Sequence, residues 1–323
     1  MHQRRGGFTL IELLTVMAIL ALLMGILLPT LNRARRHTKA KLCLSNLKGM
    51  GTAVTLYLTE NRDNFFPFRL ATLTPTDEQP YINEFHRREP RWQWFLETDS
   101  GPVIDPKPFE RLGAEGFDDF GLHMGGDEGR RMTIDLFVCP ELDDERFDHD
   151  IRNGAYGYNY QYLGNTRTDT NPNRWDNFSV GLHRIRSPSD TVALADSRGA
   201  GRKHGEHSYS LDPPRLATEQ RAQRFGPGAQ DVERGEPGEV YRFSPVEARH
   251  QGSGNVLFVD GHGQTMTPSD LGYELHDGAL GDSVPVGTPV PILDPENGPY
   301  KATNKLWNGL GVDKIAAEAN PPP

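Results

Sequence analysis

At 323 residues with 34 Gly and 25 Pro, the chain can bury a sizeable core, but turn formers are too frequent for a mostly helical body. The formal charge is −9, yet residues 1–48 hold eight of the 35 Lys/Arg and one of the 44 Asp/Glu, which leaves a strongly acidic remainder and argues against a nucleic-acid-binding surface. Two cysteines, Cys43 and Cys139, exclude a disulfide scaffold and leave room for one bridge.

The first predicted element begins at the N-terminus. Residues 8–28 are apolar apart from Glu12 and two threonines. As a helix the run spans roughly 32 Å, enough to cross a hydrocarbon core. A secretory signal peptide does not fit. Its apolar region is shorter, and "ILLPTLNRAR" offers no small-x-small cleavage site. A plain membrane anchor fits better but leaves Glu12 without a reason, because an ionisable group in a spanning helix costs up to about 2.5–3.5 kcal/mol at its centre.

The stretch "GGFTLIELL", Gly6 to Leu14, resembles the class III leader of type IV pilins and type II secretion pseudopilins. The resemblance implies cleavage after Gly7 by a membrane-embedded prepilin peptidase, which then N-methylates Phe8. It places Glu12 at the family's conserved glutamate, fifth in the mature chain, with an assembly role. In a packed filament the carboxylate would neutralise the Phe8 amine of a neighbouring subunit, offsetting a desolvation that neither charge bears well alone. Pro29 falls where such helices often carry a kinking proline. The family places the following domain in the periplasm or outside the cell. The basic residues Arg33, Arg35, Arg36, Lys39 and Lys41 on that side run against the positive-inside bias.

Beyond Pro29 the helix is expected to continue. Cys43, Leu47, Met50, Val54 and Tyr57 recur at helical spacing, an apolar stripe made to pack on a globular domain. Gly49 and Gly51 are expected to weaken its middle where exposed, and Asn61, Asp63, Asn64 and Pro67 to end it. The body then reads as short strands and turns. "MTIDLFVCP" (Met132 to Pro140) and "DTVALADSRG" (Asp190 to Gly199) are predicted strands. "GNVLFVDGHGQTMT" (Gly254 to Thr267) is predicted as a hairpin turning at Asp260-Gly261. Trp92 and Trp94 are expected in a core or a subunit interface.

Further fragments, "FVCPE", "YGYNYQYLG" and "ARHQGSGNVLFVDGH", resemble bacterial pseudopilin-like proteins with a His-x9-Asp-Gly signature. Here that signature is His250 with Asp260 and Gly261. His250, Asp260 and His262 could meet at one end of the hairpin, with Asp196 nearby if the strands pair. Such a set is competent to bind Zn²⁺ or another divalent ion. The alternative is structural: Asp260-Gly261 makes the turn, and His250 fixes the loop through a backbone carbonyl. Major pseudopilins hold Ca²⁺ in a C-terminal loop. The acidic runs "ELDDERFDHD" (Glu141 to Asp150) and "GGDEG" supply oxygens for Ca²⁺ but lack EF-hand spacing. No other cofactor is expected. Cys43 and Cys139 either form a disulfide that staples helix to sheet, in an oxidising compartment, or remain buried thiols.

The chain carries no Gly-x-Ser-x-Gly, His-Glu-x-x-His or phosphate-binding loop, so no catalytic residue is assigned and an enzyme is not expected. The expected fold is α+β and pilin-like: a long N-terminal helix, half in the membrane and half packed, on a small antiparallel sheet with long insertions. The expected divisions are a leader at 1–7, a transmembrane and assembly helix at 8–28 and its amphipathic continuation at 29–62. A β-rich head follows at 63–270 and a Gly/Pro-rich tail at 271–323, which either wraps the surface or hangs loose.

The functional expectation is a single-pass bacterial inner-membrane subunit of a type II secretion pseudopilus or type IV pilus-like filament. Its partners would be prepilin peptidase, other pilin subunits, the inner-membrane assembly platform and membrane lipid, with no nucleic acid. The alternatives are a non-polymerising envelope or adhesion protein with the same leader, and a membrane-tethered metal-dependent enzyme.

Overall fold

The computed structural model describes residues 10–66, 92–96, 109–111, 130–132, 135–142, 155–164, 166–167, 176–177, 180–198, 210–216, 244–275, 289–290, 292–293 and 302–313. Helix α1, Leu10–Glu60, runs for 51 residues without a break at Pro29. Proline offers no N–H to the carbonyl one turn earlier. The next residue, Thr30, turns its hydroxyl back onto the carbonyls of Leu27 and Ile26, at 2.8 and 3.3 Å. The helix ends where the sequence indicates. Arg62 and Asp63 take positive φ, and the Asp63 amide donates to the Leu58 carbonyl at 2.8 Å, an end of Schellman type with arginine where glycine is usual.

The principal sheet has four antiparallel strands in chain order: β1 Tyr156–Tyr158, β2 Val192–Asp196, β3 Gly254–Phe258 and β4 Gly263–Met266. Strands β2 and β3 are buried along their whole length. The pleat divides β3 between two cores. Leu257 faces α1 among Cys43, Leu47, Met50, Val54 and Tyr158. Val256 and Phe258 face the opposite side, where Leu271, Tyr273 and Trp307 cover them. The layers are therefore helix, sheet and C-terminal segment. Within the tail, the described stretch 302–313 is a packed layer: Trp307 is fully buried, and its indole N–H donates to the Leu271 carbonyl at 2.9 Å.

This α+β layout is the expected one, and the predicted stripe on α1 is the face that is buried, with Gly51, Ala53 and Leu58 added and Tyr57 half-buried. One expectation is qualified and one corrected. Gly49 and Gly51, expected to weaken the helix where exposed, are not exposed, and both are close-approach positions. A Cβ on Gly51 would meet Leu257 Cδ1 at 2.9 Å, and one on Gly49 would meet Leu136 Cδ1 at 2.8 Å. The segment Met132 to Pro140 is not one strand. Arg130–Met132 pairs with Phe109–Arg111, and Asp135–Phe137 is a 3-10 turn. The consecutive apolar residues Leu136, Phe137 and Val138 all pack towards the helix-side core, which an alternating strand cannot do. Asn46 on α1 holds that turn by donating to the Val138 carbonyl at 3.0 Å.

The far end of α1 closes on an aromatic cluster. Phe66 lies 4.6 Å from Tyr158, 5.4 Å from Tyr57 and 6.3 Å from Trp92, ring centre to ring centre. Trp92 is thus a core residue. The Trp94 side chain lies outside the described set.

Candidate functional site: an exposed apolar half-helix and a buried Cys-Cys-Asp-His cluster

Two features of the fold bear on function. The first is the N-terminal half of α1. Every residue from Leu10 to Lys39 is exposed, including Leu10, Ile11, Leu14, Leu22 and Ile26. By length and composition this helix can cross a membrane. Glu12 sits in its first turn, three residues before Thr15, whose hydroxyl donates to the Glu12 carbonyl at 3.0 Å. Gly7 and Phe8 lie outside the described residues, as does most of the acidic run Glu141 to Asp150 and all of "GGDEG".

The second feature is fully internal. Four elements each deliver one side chain to a single point. Cys43 comes from the buried face of α1, and Cys139 from the turn after the 3-10 segment. Asp196 is the last residue of β2. His250 comes from the turn that precedes β3. Their donor atoms all lie within 4.8 Å of one another. Cys43 Sγ is 2.9 Å from Cys139 Sγ, 3.1 Å from Asp196 Oδ1 and 3.0 Å from the Tyr156 hydroxyl. His250 Nε2 is 3.5 Å from Cys139 Sγ and 3.2 Å from Asp196 Oδ2. Cys43, Cys139 and Asp196 are completely buried and His250 is 5% exposed.

Local backbone geometry explains the placement. Gln251 and Gly252 both have positive φ, and His250 and Ser253 exchange backbone hydrogen bonds at 2.9 and 3.2 Å, the features of a type I′ turn. That turn holds His250 against the entry of β3. Asn255, fully buried in β3, ties the site together. Its amide donates to Asp196 Oδ2 at 2.7 Å, and its side chain donates to the Ala40 carbonyl of α1 at 3.1 Å. Arg249, beside His250, forms an ion pair with Glu247 at 2.6 Å and donates to the Ser197 carbonyl.

The electrostatics follow from burial and crowding. Burial, reinforced by Cys139 and Asp196, pushes the Cys43 thiol far above its usual range. Burial opposes ionisation of Cys139 as well. Hydrogen bonds from Cys43 and His250 and the Arg249 guanidinium outweigh it and bring that thiol down to about 5. Burial disfavours charge on His250, but the hydrogen bonds to Asp196 and Cys139 raise it to about 9. The shifts thus run in opposite directions for the two thiols: Cys139 is eased towards ionisation by its neighbours, and Cys43 is held neutral by burial. The Tyr156 hydroxyl, also buried, stays protonated.

The sequence-predicted residues divide accordingly. The proposed trio of His250, Asp260 and His262 does not assemble. His250 precedes β3, whereas Asp260 and His262 follow it at the opposite end. There the Asp260 carboxylate meets His262 Nδ1 at 2.6 Å in an exposed pair. Asp260-Gly261 does make the hairpin turn: Gly261 has φ of +89° and donates its amide to the Phe258 carbonyl at 2.9 Å. The His250 ring makes its polar contacts with Asp196 and Cys139, not with a backbone carbonyl. Cys43 and Cys139 do meet, as free thiols, their sulfurs well beyond a disulfide bond length of about 2.05 Å. Sequence reasoning placed Asp196 near His250 on condition that the two strands pair, which they do, but joined neither of them to the cysteines. The available signal was a carboxylate ending the wholly apolar strand "VALAD", where a buried acid needs partners.

Comparison with known families identifies one match. The description "Prokaryotic N-terminal methylation motif" matches residues 2–28. This prepilin-type motif, overlapping one helix that among the described residues is apolar and long enough to cross a membrane, supports a pilin-like, membrane-anchored protein processed by a prepilin peptidase. No curated protein and no solved structure matches the chain.

Proposed function

We propose that the protein is a non-enzymatic pilin-like subunit that assembles through the exposed half of α1 into a type II secretion pseudopilus or type IV pilus-like filament. The head would lie on the periplasmic or outer side of the inner membrane. The observation that carries this reading is the junction within one unbroken helix. Leu10 to Lys39 buries nothing within the subunit, whereas the continuation from Cys43 is packed on the sheet. A helix apolar on every face has no use for that surface in a water-exposed monomer. It is suited to lipid before assembly and to neighbouring helices afterwards. Glu12 gives the packing its register by meeting the methylated amine of Phe8 on an adjacent subunit. The partners are then prepilin peptidase, other pilin subunits and the inner-membrane assembly platform.

Mass spectrometry of the mature chain from native membranes tests the first step, with N-methyl-Phe8 at the new terminus as the expected result. An intact Met1 would remove the prepilin reading. In cross-linked membrane or filament fractions, Glu12→Ala is expected to reduce incorporation at least tenfold while leaving the subunit in the membrane. Unchanged incorporation would reduce the protein to a simple anchor.

A further inference from the structure

We propose that Cys43, Cys139, Asp196 and His250 form a closed structural site for a single Zn²⁺ ion that fastens the assembly helix to the head. Two thiols, one imidazole and one carboxyl group form a borderline-soft donor set that suits zinc rather than calcium or magnesium. The spacing also fits. Donors about 2.0–2.3 Å from a common centre stand about 3.3–3.8 Å apart at the corners of a tetrahedron. The Cys43 Sγ–Asp196 Oδ1 contact of 3.1 Å and the Cys139 Sγ–His250 Nε2 contact of 3.5 Å are close to or within this range, and all four donor atoms lie within 4.8 Å of one another. The two sulfurs, 2.9 Å apart, need to open by roughly 0.9 Å, a side-chain adjustment.

Charge balance favours the same occupant. Two thiolates and a carboxylate around Zn²⁺ leave one net negative charge, and the Arg249 guanidinium, held by Glu247, lies close enough to attract it. A disulfide would serve this neighbourhood less well. It would remove the one thiol proton of Cys43, shared between Cys139 Sγ and Asp196 Oδ1, and leave that completely buried oxygen facing a group with no proton to donate. On binding, the thiol protons of Cys43 and Cys139 and any imidazolium proton of His250 pass to solvent, and no electron is transferred. With Nε2 on the metal, the remaining ring proton sits on Nδ1, which meets no acceptor. Metal-bound histidines usually have such an acceptor to orient them. Here the type I′ turn at Gln251-Gly252 supplies the orientation.

Four protein donors and almost no exposure leave no open coordination position, so the role is structural and not catalytic. Each donor comes from a different element, so the ion would cross-link α1, the 3-10 turn, the end of β2 and the entrance to β3. Force on the membrane half of α1 would then reach the sheet through metal–ligand bonds as well as apolar packing.

The test uses the full-length chain, extracted in mild detergent and purified without strong chelators. Elemental analysis is expected to find one zinc per chain. Exchange with Co²⁺ should give thiolate-to-cobalt charge-transfer absorption together with the intense visible bands of a tetrahedral site. Cys139→Ser and His250→Ala are each expected to weaken metal retention at least tenfold, while His262→Ala, in the exposed turn, keeps one ion per chain. If the buried-site variants fail to fold, the cobalt spectrum of the unmodified chain decides. A chain that takes up no metal from excess Zn²⁺, cobalt bound without thiolate absorption, or an intact mass two hydrogens light from a Cys43–Cys139 bond would each overturn the assignment.

Discussion

The two halves of α1 share one backbone and obey opposite rules. From Leu10 to Leu28 the apolar residues surround the axis, and none is buried in the subunit. From Cys43 to Leu58 most of them keep to one face, and that face packs on the head, with Leu56 left exposed. A side chain's contribution to subunit stability is therefore set by which half it occupies, not by its chemistry. The same leucine is a stability determinant at 47 and an assembly determinant at 20.

The largest expected contrast comes from truncating those two leucines. Leu47→Ala should destabilise the head by about 2–5 kcal/mol in thermal or denaturant unfolding, because it opens a cavity in the helix-side core. Leu20→Ala should leave head unfolding unchanged and alter only membrane retention or filament yield. Equal losses from the two variants would mean that the outer half-helix packs on the head, and the contrast would collapse.

Glycine gives a finer version of the comparison. Gly51→Ala places a methyl group against Leu257, whose Cδ1 would lie 2.9 Å away. Overpacking costs about 1–3 kcal/mol and the improved helix propensity returns about 1, so a net loss of about 1 kcal/mol is expected by chemical denaturation. Gly25→Ala meets nothing within 4 Å in the subunit and should not lower head stability. Reduced filament yield from Gly25→Ala would locate a close helix–helix contact in the assembly.

The smallest effect is expected at the boundary. Lys39 and Glu141 approach to 3.9 Å with the lysine half-exposed. Lys39→Ala should change head stability by no more than about 0.5 kcal/mol and should be insensitive to added salt within error. A larger loss would extend the packed region of α1 towards the membrane.

Much of this layout was legible in the sequence because it is encoded by short-range pattern. The spacing Cys43-Leu47-Met50-Val54 marks the face that is buried, Asp260-Gly261 marks the hairpin turn, and Asn61 to Asn64 marks the helix end. The segment Met132 to Pro140 was misread because its apolar residues are consecutive, and a local rule cannot tell a strand from a turn folded onto a distant helix. His250 was singled out with Asp196, which it does meet, but also with two companions that it does not. Asp260 and His262 are near it in sequence, yet β3 carries them to its other end.

By itself, then, the sequence determined the prepilin-type leader motif, the exposed apolar half-helix with Glu12, and the buried stripe that follows, since each depends on residues within a few turns of one another. Only the tertiary structure decided that Cys43, Cys139, Asp196 and His250 share one point, because those donors are separated by 54 to 153 residues where they touch across elements. Such proximity has no local signature. It exists only once the helix has docked on the sheet, β2 has paired with β3, and the His250 turn has closed over the site.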